Sequence, residues 1–171
     1  MGFFVFGGVC YYNRRMEKEI IKTIGFVLFR KNGKDIRYLL LHHHGPYWNF
    51  PKGRVEEHEK KDELETAFRE TEEETGIPRG KIRMCKGFRQ NFLYNFTSKY
   101  EEDYGEKVVK RAIFYVGESL TDEVVISDEH KDFGWFSYEE AVKKLHFKNG
   151  QEVLKRAHGF IIRQSHRALK K

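Results

Sequence analysis

Cysteine is nearly absent from this chain: Cys10 and Cys85 are the only two, and neither stands at CxxC or zinc-ligand spacing. That excludes a disulfide framework and a cysteine-bound structural metal, and it predicts two reduced thiols in a reducing compartment, with the cytoplasm as the default location. Long apolar runs are missing too. The apolar stretch from Met1 to Tyr12 has no positive residue before it and falls well short of the roughly 18 to 20 residues that span a bilayer, so no membrane anchor is expected. Residues 1–15, ending just before a second methionine at Met16, are expected to be a dispensable extension. No internal repeat or interdomain linker is visible, which leaves residues 16–171 as one domain.

What the chain does contain suits a globular fold. It has 171 residues, 39% apolar and 34% charged, and its fifteen Phe, nine Tyr and two Trp supply enough large apolar surface to close one core. The formal charge of +6 coexists with a dense run of glutamates, so the two signs are expected to be segregated on the surface, with a basic rim that would attract polyphosphates.

Ile20–Arg30 and Ile36–Leu41 read as the strands of a hairpin, turned at Lys31-Asn32-Gly33-Lys34. The aromatic stretch Tyr47-Trp48-Asn49-Phe50 ends at Pro51, which cannot donate to a ladder. Asp62–Thr75 is helical in pattern: Asp62 caps it with Glu65 as partner, Leu64, Ala67, Phe68 and Thr71 form the apolar stripe, and Gly76 ends it. Ile82–Asn91 and Val108–Val116 read as strands around a polar loop, followed by a helix from Ser137 to Leu145, capped with Glu140, and a basic C-terminal helix opening at Asn149 or Gly150. The succession predicts a mixed α/β or α+β sandwich with helices packed over a sheet.

The chemistry concentrates on Arg69-Glu70-Thr71-Glu72-Glu73-Glu74. On a helix Glu70, Glu73 and Glu74 share one face, where their mutual repulsion is relieved by a hard divalent cation such as Mg²⁺ or Mn²⁺. Three glutamates alone are better read as the solvated acidic face of a surface helix, and the frame around them changes that. Gly53 precedes Glu59 by six positions, Arg69-Glu70 follows, then Glu73-Glu74, Gly76 and Ile77. This frame resembles the Nudix box. The resemblance implies the Nudix α/β/α sandwich and a metal-dependent hydrolase cleaving a phosphoanhydride bond. It differs in that nine residues, Lys60 to Phe68, separate Glu59 from Arg69 where the family has seven, and Thr71 replaces an aliphatic residue. The longer loop is expected to perturb the role of Glu59, usually the arginine's partner, more than the metal face.

Flanking segments narrow the resemblance. Trp48-Asn49-Phe50-Pro51-Lys52-Gly53 before the box, and Ser127-Asp128-Glu129-His130 with Trp135 after it, are similar to the diadenosine tetraphosphate hydrolase branch. Carried over, the likeness implies Gly53, Glu70, Glu73, Glu74 and Glu129 as metal ligands. Glu74 is the first choice of general base and Glu129 the second, with Glu70 also in the catalytic set. Lys52 and Lys110 would contact phosphates, Trp48 would line the substrate site, and Tyr94 or Tyr100 would stack on adenine. Glu59, Arg69 and Gly76 would be structural. The histidines His42, His43 and His44 alternate in direction along a strand and do not converge on one metal.

The implied substrate is a dinucleoside polyphosphate. Two other outcomes follow from the same residues: an enzyme acting on RNA 5′ ends, using the basic C-terminal helix with Lys155, Arg156, Arg163, His166, Arg167, Lys170 and Lys171, or a nucleotide-binding module without turnover. DNA and membrane partners are not expected, and the chain is expected to be a monomer or homodimer.

Overall fold

A computed structural model describes residues 20–33, 35–97, 105 and 107–168. Eight strands, β1 (Ile21–Asn32), β2 (Asp35–His43), β3 (Trp48–Asn49), β4 (Lys52–Arg54), β5 (Ile82–Met84), β6 (Gln90–Thr97), β7 (Lys107–Ser119) and β8 (His130–Phe136), form one mixed sheet. The helices are α1 (Glu63–Thr75), α2 (Tyr138–Lys144) and α3 (Lys148–Ala168). Strands run in the order β3-β2-β1-β7-β5, with β4 paired to β1, β6 to β7 and β8 to β2. The central pair β1/β7 is parallel, from Ile21 opposite Lys110 to Phe29 opposite Glu118.

β1 has few polar positions because both faces of the sheet are covered. Ile24, Phe26 and Leu28 pack with Ala67, Phe68 and Ile77 under α1. Val27 and Phe29 point the other way, joining Ala141, Leu145, Val153, Leu154, Ala157 and Ile161 beneath α2 and α3. The result is an α/β/α sandwich. On the α3 side Tyr38 hydroxyl and His158 Nδ1 share a hydrogen bond of 2.6 Å, and Tyr138 stacks on that histidine at 4.3 Å.

Two strand readings needed revision. The run from Ile82 to Asn91 is not one strand: Gly87, at φ +94, turns the chain between β5 and β6, both of which pair with β7. His130–Phe136 is itself a strand, bonded to β2 from Tyr38 to His43. The cap at Asp62 forms, accepting from Leu64 N (3.0 Å) and Glu65 N (3.4 Å), but Glu65 is bonded to Arg79 at 2.8 Å rather than returning to the cap. Helix α3 begins at Lys148, slightly ahead of the expected start.

Candidate active site

Helix α1 carries the glutamates and β4 crosses its C-terminal half. The contact is close. A Cβ on Gly53 would coincide with the carboxylate of Glu70, and one on Gly25, across in β1, would strike the Pro51 carbonyl. Glycine at both positions lets three layers of chain approach, and the Gly25 requirement carries no signal in a single sequence. Lys52 N donates to Glu74 Oε2 at 2.8 Å, tying the helix to the strand. Gly76 ends α1 at φ +67, its N–H bonded to Glu72 O at 2.8 Å.

Arg69 organises the acids. Its Nε and Nη2 reach Glu59 at 2.6 and 3.0 Å, Nη1 reaches Glu73 at 2.8 Å, and Nη2 lies 2.9 Å from Glu70 and 3.0 Å from the Arg54 carbonyl. The longer loop does not displace Glu59, contrary to expectation. The extra length is taken up as a tight turn over Glu57–Glu59 and by exposed Lys60 and Lys61, with Asp62 N bonded back to Glu59 O at 2.9 Å. Glu59 is buried at 2% exposure and also accepts from Thr66 Oγ1; bonding to Arg69 holds its pKa down at about 2.

Glu74 is in the opposite situation. It is 6% exposed, and burial pushes its pKa up to about 8 against the pull of Lys52. Burial also raises Glu70, with Arg69 opposing. His130, from β8, is buried with Nε2 unbonded and 3.7 Å from Glu74 Oε1, while its Nδ1 is 3.3 Å from Ser127 Oγ. Glu129 sits in the exposed turn before β8, close enough that its charge acts on both Glu74 and His130. The three consecutive histidines diverge: His42 stacks on Trp48 at 4.7 Å, His43 packs on His130 at 4.6 Å, and His44 Nε2 lies 2.6 Å from the Asp128 carbonyl. Desolvation lowers His43 to about 3, which keeps it neutral.

The acids occupy one helix face, but Arg69 draws Glu73 outward and holds Glu70. Among the described residues no three acidic, histidine or cysteine groups close round one point. The donor set is nonetheless that of a hard divalent cation. Carboxylate oxygens of Glu70 and Glu74 flank the Gly53 cradle, and Glu74 is a buried carboxyl that a cation would hold ionised.

Beside the acids opens a cavity of about 510 Å³ lined by Trp48, Lys52, Phe92, Tyr94, Lys110 and Phe147, among others. It joins four of the five expected substrate residues in one wall; the fifth, Tyr100, lies outside the described residues. Phe92 and Phe147 were missed from sequence. Phe92 falls just beyond the strand expected over Ile82–Asn91, and Phe147, 52% exposed between α2 and α3, has no pattern that marks it.

The NUDIX domain profile matches residues 20–157. Over 154 residues the chain is 31% identical to bis(5′-nucleosyl)-tetraphosphatase [asymmetrical] of Mus musculus and 32% identical to that of Sus scrofa, in each case across 82% of this chain and 95% of the relative. The crystal structure of a Caenorhabditis elegans Ap4A hydrolase binary complex superposes with a TM-score of 0.71 at 27% identity, over 84% of this chain and 98% of that one.

Proposed function

This chain belongs to the Nudix family, and from that premise we propose that it hydrolyses a dinucleoside polyphosphate such as diadenosine tetraphosphate at a phosphoanhydride bond. The observation that carries the reading is the junction at Lys52, whose backbone holds Glu74 while its residue lines the aromatic cavity. A base is accommodated by aromatic faces on one side and the phosphate chain meets carboxylate chemistry on the other.

Glu70, Glu73, Glu74 and Glu129, with the backbone at Gly53, would hold the divalent cation, Mg²⁺ or Mn²⁺. That ion supplies neutralisation of phosphate charge and acidification of water. Lys52 and Lys110 hold phosphate oxygens as point charges. Glu74 accepts the proton of the attacking water as its oxygen bonds to phosphorus and the anhydride P–O bond breaks, the bridging oxygen leaving with one nucleotide. Arg69, bound to Glu59, sets the carboxylates' positions. No helix among the described residues is long and apolar enough to cross a membrane, and cytoplasmic residence is part of the proposal.

Of the basic residues on α3, Arg156 is bonded to Glu152 at 2.7 Å and Gln90 at 3.2 Å, while Lys155, Arg163, His166 and Arg167 are exposed, so the RNA-end reaction is kept as an arm of the test. Lys170 and Lys171 lie outside the described residues. The test is phosphate release from dinucleoside polyphosphates, nucleoside triphosphates, nucleotide sugars and 5′-triphosphorylated RNA, with and without Mg²⁺. Preferential, Mg²⁺-dependent cleavage of a dinucleoside polyphosphate is expected. Preference for RNA would move the assignment to the RNA-end reaction, and no release from any substrate would leave a binding module.

A further inference from the structure

Strand β4 carries Lys52 into the aromatic cavity and, two residues on, carries Arg54 into another. This second cavity, of about 540 Å³, forms where the start of β1 meets the loop between β4 and α1, and its charged lining is Lys22, Arg54, Lys60 and one acid, Glu57. The acid is already neutralised, with Lys60 Nζ 2.6 Å from Glu57 Oε2, and Lys60 belongs to the lengthened loop. Lys22 is held by Glu63 at 2.7 Å. The Arg54 side chain is different: it is exposed and makes no hydrogen bond, ion pair or ring contact with any described residue. Its backbone is nevertheless fixed, because its carbonyl accepts from Arg69 at 3.0 Å.

Residues two apart on an extended strand leave it on the same side, with Cα atoms roughly 7 Å apart. Gly53 lies between them, over the Glu70 carboxylate. A polyphosphate following β4 on the side of these two residues therefore reaches from Lys52 to Arg54 across Gly53. An unpaired guanidinium is a fork that matches two phosphate oxygens, and the one carboxylate lining this cavity, Glu57, is bonded to Lys60 rather than to Arg54.

We propose that this basic cavity is a second phosphate site, with Arg54 as its principal ligand and Lys60 in support, and that it holds the far end of the polyphosphate chain and so selects for chain length. The inference rests on the nucleoside polyphosphate reading. Binding can be separated from turnover by calorimetry on the full chain at low salt with EDTA, using inorganic tripolyphosphate and AMP as probes. Arg54→Gln is expected to weaken tripolyphosphate about tenfold and AMP less than twofold, with Lys60→Gln in between. Arg54 supports no internal contact, so an unchanged melting temperature should confirm that the variant is folded.

In turnover, Arg54→Gln should lower the kcat/KM ratio of diadenosine tetraphosphate to diadenosine diphosphate about tenfold. Absence of tripolyphosphate binding by the wild type, equal weakening of both probes, or tripolyphosphate affinity within twofold of wild type in Arg54→Gln would each overturn the site. If the wild type cleaves dinucleoside polyphosphates while Arg54→Gln changes nothing, this inference fails and the function stands. If Arg54→Gln loses tripolyphosphate but the wild type cleaves no dinucleotide, the phosphate site stands and the substrate assignment fails.

Discussion

Glu74 is held where its charge is least comfortable: buried, beside other acids, with Lys52 N on one oxygen and His130 near the other. A glutamine there keeps the acceptor for Lys52 N and fills the same volume, yet cannot take a proton. Glu74→Gln should therefore lower kcat by about 10²- to 10⁴-fold while the melting curve stays close to wild type. Near-normal turnover would pass the role to Glu129. Three residues before Glu74 in the motif, Thr71 shows a different kind of tension. It is fully buried and its Oγ1 has no hydrogen-bond partner. Removing an unsatisfied buried hydroxyl without changing shape is favourable, so Thr71→Val should raise stability by about 1 kcal/mol in urea unfolding. A loss of stability would mean the hydroxyl is satisfied in solution. The glutamates were legible in sequence only through the frame around them, Gly53, Arg69, Gly76 and Ile77, and the resemblance it carries. Their opposite environments were not, because the burial of Glu74 and the bonding of Glu59 to Arg69 depend on β4 and the loop folding back over α1.

At the scale of elements, α1 is fastened at its first residue. Glu63 accepts from Arg89 at 2.8 and 2.9 Å and from Tyr115 at 2.6 Å, and lies 2.7 Å from Lys22, so one carboxylate joins the helix to β1, β7 and the turn before β6. Bonding to Arg89, ahead of Lys22 and Tyr115, holds its pKa at about 2, below the ordinary 4.5. The stabilisation is therefore complete above pH 4.5 and is lost as pH falls toward 2. The shift alone corresponds to roughly 3 kcal/mol, and partial exposure of Lys22 and Arg89 reduces this to about 1–2 kcal/mol. Glu63→Gln should lose that much at pH 7, with the gap to wild type shrinking steadily below pH 4.5 in denaturant titrations. A gap that persists unchanged at pH 3 would rule out the charge as its source. The helix itself was readable, from cap to terminal glycine, since its signals are local. The split between β5 and β6 and the existence of β8 were not: both are defined by pairing to β7 and β2, and β8, with Asp132 and Gly134 among its seven residues, lacks a clean alternation.

The whole molecule makes the substrate cavity. Its walls come from β3, β4, β6, β7 and the junction of α2 and α3, brought together by the two-layer burial of the sheet. Sequence supplied the lysines and Trp48 through a resemblance and the stacking tyrosine only as a choice between Tyr94 and Tyr100, because nothing local reports that Phe147 and Phe92 face the same space. Phe147 is the informative probe. It stands at the rim in contact with Tyr47 at 5.2 Å and His146 at 5.0 Å, and it is half exposed, so its removal leaves little of the core uncovered. Stacking of one base on an aromatic is worth roughly 1–3 kcal/mol. Phe147→Ala should accordingly raise KM for a dinucleoside polyphosphate about tenfold with little change in kcat, since the lost contact is made equally in the ground and transition states. Affinity for AMP should fall in parallel and that for tripolyphosphate should not, the reverse of the pattern expected for Arg54→Gln. An unchanged KM would place the base elsewhere and leave the aromatic cavity without a role in recognition.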